Sequence, residues 1–245
     1  MSSKHNAILP HALKIPALSK LADKRVILAS NSPRRKEILQ TLGIAPEIVP
    51  STFQENLPQS SFEDVHEYPV ATATHKAVEV YERLVQENPD DPPDLVIGAD
   101  TVVLTHIPGP TSEFTYAQPR QEILEKPESE ADNLRMLLDL NGGMCEVVTG
   151  VSLVYPILSA PGYEIKSLDE RTLVHFADNE KSVLQAYASN GEGRDRAGGF
   201  AIQGLGSLLI KKIDGDYNNV VGFPSSSFVK FLQLLIDEEP DFLSI

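Results

Sequence analysis

A chain of 245 residues with 41% hydrophobic and 23% charged side chains is long enough to bury a full core, as one large domain or two small ones. Its net charge of −14 argues against a polymeric nucleic-acid partner, whose binding rests on neutralising phosphates, but leaves room for a small anion held by locally gathered cations. A single cysteine, Cys145, excludes an internal disulfide framework, and no stretch approaches the roughly 20 apolar residues of a membrane helix, so a soluble, cytoplasmic protein is expected.

In chain order, residues 1–24 carry scattered apolar side chains and two prolines, and read as a weakly ordered extension. The globular part then opens on the apolar run Val26-Ile27-Leu28, which ends at a polar turn leading into a basic helix. Ser32 is a good N-cap, and Pro33 stands at the first helical position, where its missing N–H costs nothing. The free N–H groups of such a helix start attract anions, and the Arg34 and Arg35 guanidinium forks match phosphate oxygens. A strand–turn–helix with a solvated basic face has the same local sequence.

Further along, Val70, Thr74, Ala77, Val78, Tyr81, Leu84 and Val85 recur at helical spacing and predict an amphipathic helix. Lys76 lies within it and, judged alone, reads as a surface lysine with a snorkelling stem. Glu55 follows the strand-like Ile48-Val49 without any local sign of a role. Leu95–Ile97 and Val102–Leu104 are strand-like, and between them Asp100 sits in apolar surroundings. A carboxylate there must be paired, hydrogen-bonded, metal-bound or at an open strand end, so it reads as a metal ligand or general base, or as a cap on a neighbouring loop.

Residues 105–121, with Pro108, Gly109, Pro110 and Pro119, form a long loop before Ile123-Leu124, and Lys126 precedes Pro127 in an extended stretch. Helices are expected from Ser129 to Leu138, before Gly191, and over Phe228–Ile236, with strands at Val147–Tyr155, Thr172–Phe176 and Leu208–Ile213. This alternation predicts an α/β fold. Gly198, Gly199, Gly204 and Gly206 cluster around Gln203, either to let its amide approach a flat polar ring or to shape a bulged hairpin, and Asp214-Gly215 is a hairpin signal. His75, His106 and His175 share no metal-ligand spacing.

In order, Ser30-Asn-Ser32-Pro33-Arg34-Arg35-Lys-Glu37, Gly98-Ala99-Asp100-Thr101, Leu124-Glu125-Lys126-Pro127, Ala197-Gly198 through Gln203-Gly204 and Gly215-Asp216-Tyr217 through Pro224 resemble the motifs of the Maf family of nucleoside triphosphate pyrophosphatases. The likeness runs from about Arg25 to Ile236. It implies a Maf/inosine triphosphatase-like fold, a mixed twisted sheet flanked by helices with the active-site cleft between two lobes, and a single catalytic domain over 25–245 with a loop insertion at about 105–121. By the same resemblance Asp100 is the catalytic acid, with Glu55, Lys76 and Lys126 beside it. Ser30, Arg34, Arg35, Thr101, Arg196 and Gln203 contact substrate, and Asp100 with Glu55 holds Mg²⁺ or Mn²⁺. The implied reaction cleaves a nucleoside triphosphate to monophosphate and pyrophosphate.

Arg34, Thr101 and Gln203 are similar to the branch acting on dTTP and UTP, whereas the branch acting on methylated guanosine triphosphate carries glutamate where Gln203 stands. A homodimer is also implied. Other readings are hydrolysis of methylated GTP or modified pyrimidines, a nucleotide-binding regulator without turnover, or another phosphate-handling enzyme. This chain departs from the family at Arg196, where lysine is usual, at Cys145, where histidine is usual, and at Gln54, where the family has an acidic neighbour of Glu55.

Overall fold

Val26–Leu28 is apolar at all three positions, and in the computed structural model, which describes residues 5–105, 121–160 and 162–244, it forms a strand, β1, buried on both faces. β1 pairs in parallel with β2 (Glu47–Ile48) on one side and with β3 (Leu95–Thr105) on the other. The expected break in β3 does not occur: Gly98, Ala99 and Asp100 remain extended, so two apolar runs become one eleven-residue strand. The sheet continues through β5 (Met144–Pro156), β6 (Tyr163–Phe176) and β7 (Ile210–Asp214), while the short β4 (Ile123–Leu124) pairs antiparallel with β3. Among the described residues seven strands, parallel at β1 and antiparallel between β6 and β7, make the mixed sheet that the resemblance implies. The long proline-bearing loop lies outside the described residues except at its ends.

Helices supply the rest: α1 (Pro16–Ser19), α2 (Pro33–Thr41), α3 (Glu67–Glu87), α4 (Glu130–Leu140), α5 (Lys181–Asn190), α6 (Tyr217–Val221) and α7 (Ser225–Glu238). None of the described helices is long and apolar enough to cross a membrane. The apolar stripe expected of α3 is rotated slightly, and the expected α4 is not buried at its Leu138 end. On α3 the buried face is Ala73, Ala77, Val80, Tyr81 and Leu84, with Val78 and Val85 at its margin, and on α4 Leu138 is exposed while Met136 is buried. Asp214-Gly215 does not turn a hairpin, because β7 returns to β6 only after α5; it ends β7 ahead of α6.

The chain groups into two compact units. Unit 1 comprises 1–100, 149–170 and 222–245; its core packs Ile27, Ala29, Ala77, Val80, Tyr81, Leu84, Val96 and Val154 together. Unit 2 comprises 101–148 and 171–221, with a core that includes Val103, Leu137, Val147, Val174, Leu184, Phe200 and Leu209. The extension expected to be weakly ordered is packed from residue 5 onward. Ala17, Leu18 and Leu21 are buried, α1 lies against α7, and Leu9 N and Ala45 N tie the segment to the turn after α2 through Gly43 O and Ala7 O, both at 2.8 Å. Apolar residues at 17, 18 and 21 are enough for one helical turn to bury, a pattern too short to register as periodicity.

Candidate functional site

In unit 1 the start of α2 is built as its sequence requires. Ser32 caps the helix by accepting from Arg35 N at 3.5 Å, and Pro33 occupies the first turn. The buried Ser30 hydroxyl accepts from Ser32 N at 3.2 Å and from Arg35 Nη1 at 3.1 Å, while Arg35 Nε donates to Gly222 O at 2.9 Å. The Arg35 guanidinium is therefore held at both ends. Burial pushes its pKa below the ordinary value, and the fields of Asp100 and Glu55 oppose that push. Arg34, next along the same turn, is half-buried.

Lys76 is not at the surface. It is 7% exposed on the buried face of α3, and its Nζ lies 2.8 Å from Asp100 Oδ1 and 2.8 Å from Glu55 Oε1. The two carboxylates differ: the Asp100 side chain is 10% exposed and that of Glu55 58%, so one ammonium joins an interior carboxylate to a solvated one. Glycines bring α3 this close to the sheet. A Cβ on Gly98 would run into the Ala73 carbonyl oxygen, and one on Gly150 into the Pro69–Val70 backbone. Because side chains alternate along a strand, Asp100 shares the face of Gly98, and Ser152 the face of Gly150. Ser152 Oγ shares a hydrogen bond with Thr74 Oγ1 at 2.7 Å.

In unit 2, Thr101 is half-buried and the Lys126 side chain is exposed beyond β4. The neighbouring Glu125 O accepts from Gly198 N at 3.1 Å, which sets Lys126 beside the 3-10 turn Ala197–Gly199 that follows Arg196. Arg196 Nε is buried without a hydrogen-bond partner, and burial lowers the pKa of this guanidinium. The glycine cluster is not a bulged hairpin but a pair of 3-10 turns. Gly198 and Gly199 adopt φ of 70° and 73°, and a side chain on Gly198 would crowd Val103. Exposed Gln203 is the N-cap of the second turn, Gly204–Leu209, whose backbone is fixed by the Glu192 carboxylate accepting from Leu205 N at 3.1 Å and Gly206 N at 2.8 Å. Cys145 is fully buried, and burial with the nearby Glu146 pushes its thiol pKa up.

Ser30, Arg35, Glu55, Lys76 and Asp100 are thus brought together in unit 1, whereas Lys126 and Arg196 neighbour one turn of unit 2. Among the described residues no three His, Cys, Asp or Glu side chains form a metal-holding group. Asp100 and Glu55 still fit a hard cation such as Mg²⁺, which is commonly held by one or two carboxylates together with substrate phosphates. The sequence reading missed the glycine notches as the reason for Lys76's position. Their signal was present as Gly98-Ala-Asp100 and Gly150-Val-Ser152, a glycine two residues before a polar group inside apolar strands.

Residues 25–235 match the Maf family, described as Maf-like protein. A human protein named probable bifunctional dTTP/UTP pyrophosphatase/methyltransferase protein is 41% identical over 221 residues, covering 89% of this chain and 33% of the human one; this chain spans about a third of that relative's length. The dTTP/UTP pyrophosphatase of Schizosaccharomyces pombe is 38% identical, covering 89% of this chain and 86% of its own. One from Thermoanaerobacter sp. is 33% identical, covering 87% and 97%. A solved nucleoside-triphosphatase, dITP/XTP pyrophosphatase, from Mycobacterium abscessus aligns at 17% identity with a TM-score of 0.33 over 63% of this chain and 74% of its own, a likeness too slight to carry an argument.

Proposed function

This chain belongs to the Maf family, and on that premise we propose that it hydrolyses nucleoside triphosphates, dTTP and UTP foremost, to nucleoside monophosphate and pyrophosphate. The observation that carries the reading is the Lys76 ammonium between Asp100 and Glu55, in the same unit as the capped, arginine-bearing start of α2. Cations and free N–H groups suit a phosphate tail, and a mostly buried carboxylate suits a water that must lose a proton.

In this reading Arg34, Arg35, Ser30 and the first turn of α2 bind the phosphate tail. Lys76 and Lys126 offset the charge that builds on the phosphate oxygens during cleavage, and Arg196 adds a further cation. Asp100 orients the attacking water and accepts its proton at Oδ as the bond from the α-phosphorus to the bridging oxygen breaks, with pyrophosphate leaving on that oxygen. Asp100 and Glu55 would hold Mg²⁺ or Mn²⁺, which would supply charge neutralisation on the phosphate oxygens. Thr101 contributes to substrate contact, and Gln203 pairs with the base edge through its amide donor and acceptor. A homodimer located in the cytoplasm belongs to the same reading, and sedimentation equilibrium checks the dimer.

The test is incubation of the purified protein with a panel of nucleoside triphosphates, with and without Mg²⁺ or Mn²⁺, followed by product identification. We expect pyrophosphate and monophosphate, fastest from dTTP and UTP, with turnover lost in Asp100→Asn while the fold is retained. Release of inorganic phosphate, phosphate transfer, or near-full turnover by Asp100→Asn overturns the reading. Preference for methylated GTP would overturn the assignment of Gln203.

A further inference from the structure

Glu55 lies on a loop with no regular structure between β2 and α3 except the turn at Gln59–Ser61, and more than half of its side chain is exposed. Such a residue needs an anchor if it is to stay against Lys76, and the loop has one. Glu79, on α3, takes a hydrogen bond from Ser51 Oγ at 2.7 Å, from Thr52 N at 3.0 Å and from Thr52 Oγ1 at 3.0 Å, so one carboxylate accepts three bonds from two consecutive loop residues. Arg83, one turn further along α3, donates to Glu79 Oε1 at 2.8 Å and through Nη2 to Pro50 O at 3.0 Å, which holds both the carboxylate and the loop's first residue. Next in the loop, the Phe53 ring stacks on His75 with centroids 4.8 Å apart and planes 7° from parallel. Glu55 follows, at Lys76. The loop therefore runs back along one helix, fastened first at Glu79 and then at His75, before it delivers its carboxylate.

We propose that Glu79, held by Arg83, is a positioning residue for the reaction, clamping residues 50–53 to α3 so that Glu55 is presented to Lys76. The proposal rests on the pyrophosphatase reading for its kinetic consequence, but the clamp itself is a property of unit 1 and can be measured without turnover. Because Glu79 touches the loop through Ser51 and Thr52 and not through Glu55, its effect on the reaction is indirect. Removing it leaves Glu55, Lys76 and Asp100 chemically intact and changes only how often Glu55 is in place.

The experiment compares wild type, Glu79→Ala, Glu79→Gln, Glu55→Ala and the Glu55→Ala/Glu79→Ala double variant by amide hydrogen exchange and by dTTP turnover. Glu79→Ala should speed exchange across residues 51–57 by roughly tenfold or more while the buried turns of α3 exchange at the wild-type rate. Its turnover should fall roughly 10- to 100-fold. In the Glu55→Ala background the same change should cost nothing further, since the clamp has no carboxylate left to present. Glu79→Gln, which keeps one acceptor oxygen for the loop, should fall between wild type and Glu79→Ala in both readings. Should Glu79→Ala fail to fold, Ser51→Ala/Thr52→Val removes the two hydroxyl bonds from the loop's side and takes its place. Unchanged exchange over 51–57, or losses that multiply independently in the double variant, overturns the proposal. Wild-type protein that releases no pyrophosphate overturns the functional reading alone, and the exchange result then decides the clamp.

Discussion

Lys76 keeps its ammonium inside the protein because two carboxylates meet it there. Alone in an amphipathic helix it has the profile of a solvent-facing lysine, and only its two carboxylate partners, 21 residues before it and 24 after it, justify its burial. Asp100 announced itself, because a carboxylate among Val and Ile demands a partner, and that partner proved to be Lys76. Arg35 reads as an anion binder by residue type alone, whereas its double tether to Ser30 and Gly222 rests on contacts that reach across 187 positions of chain. The Lys76–Asp100 pair carries a stability prediction. Lys76→Met leaves the nearly buried Asp100 without its hydrogen-bonded counter-charge and should cost about 3 kcal/mol in urea unfolding. Most of that loss should return in Lys76→Met/Asp100→Asn, which removes both charges. A double variant no more stable than the single one would show that the pair is not what holds this region.

At the scale of elements, the placement of α3 on the sheet depends on backbone contact. Gly98→Ala puts a methyl group against the Ala73 carbonyl oxygen, so α3 must lift or the strand must shift. The expected result is a loss of about 1–3 kcal/mol in stability together with a drop in turnover larger than the population of unfolded protein explains, because Lys76 is carried away from Asp100. The loop clamp gives a second, pH-dependent prediction. Burial would raise the Glu79 pKa, but bonds from Arg83, Ser51 and Thr52 outweigh it and hold the carboxyl at about 2, against an ordinary value of 4.5. A pKa depressed by folding contributes stability that is complete above 4.5 and is lost as pH falls through about 2, amounting to at most about 3 kcal/mol before solvent screening of the partly exposed group. Glu79→Gln should therefore flatten the unfolding free energy between pH 4.5 and 2 compared with wild type, as read by denaturant titration at several pH values. Strand and helix identities were readable because their periods differ. The pairing of a glycine with a helix carbonyl was not, since nothing local says which helix will arrive.

Across the whole molecule, alternating strands and helices pointed to the α/β class, while the ordered motifs pointed to the family and, through that resemblance, to the mixed sheet. The N-terminal segment and the loop before Glu55 share a reason for being hard to read. Residues 5–24 and the 50–55 loop are held by contacts with distant parts of unit 1, and three or four apolar residues, or two hydroxyls, leave no periodic trace. The N-terminal segment lies outside the residues matched to the family, yet Leu21 is fully buried. Leu21→Ala should destabilise the protein by about 2–5 kcal/mol, lowering its melting temperature as a core truncation does, and a change below 0.5 kcal/mol would return the segment to the status of a loose extension. The two glycine notches also set a timescale. A helix whose backbone is seated on two adjacent strands, at Gly98 and at Gly150, cannot roll about its axis or slide by a residue without a collision at one seat or the other. When an anion competes for the Lys76 ammonium, α3 therefore stays seated, and the adjustment falls to the Lys76 side chain and the loop that carries Glu55. Exchange of partners at the site then does not wait on the microsecond-to-millisecond regime of shifting helices.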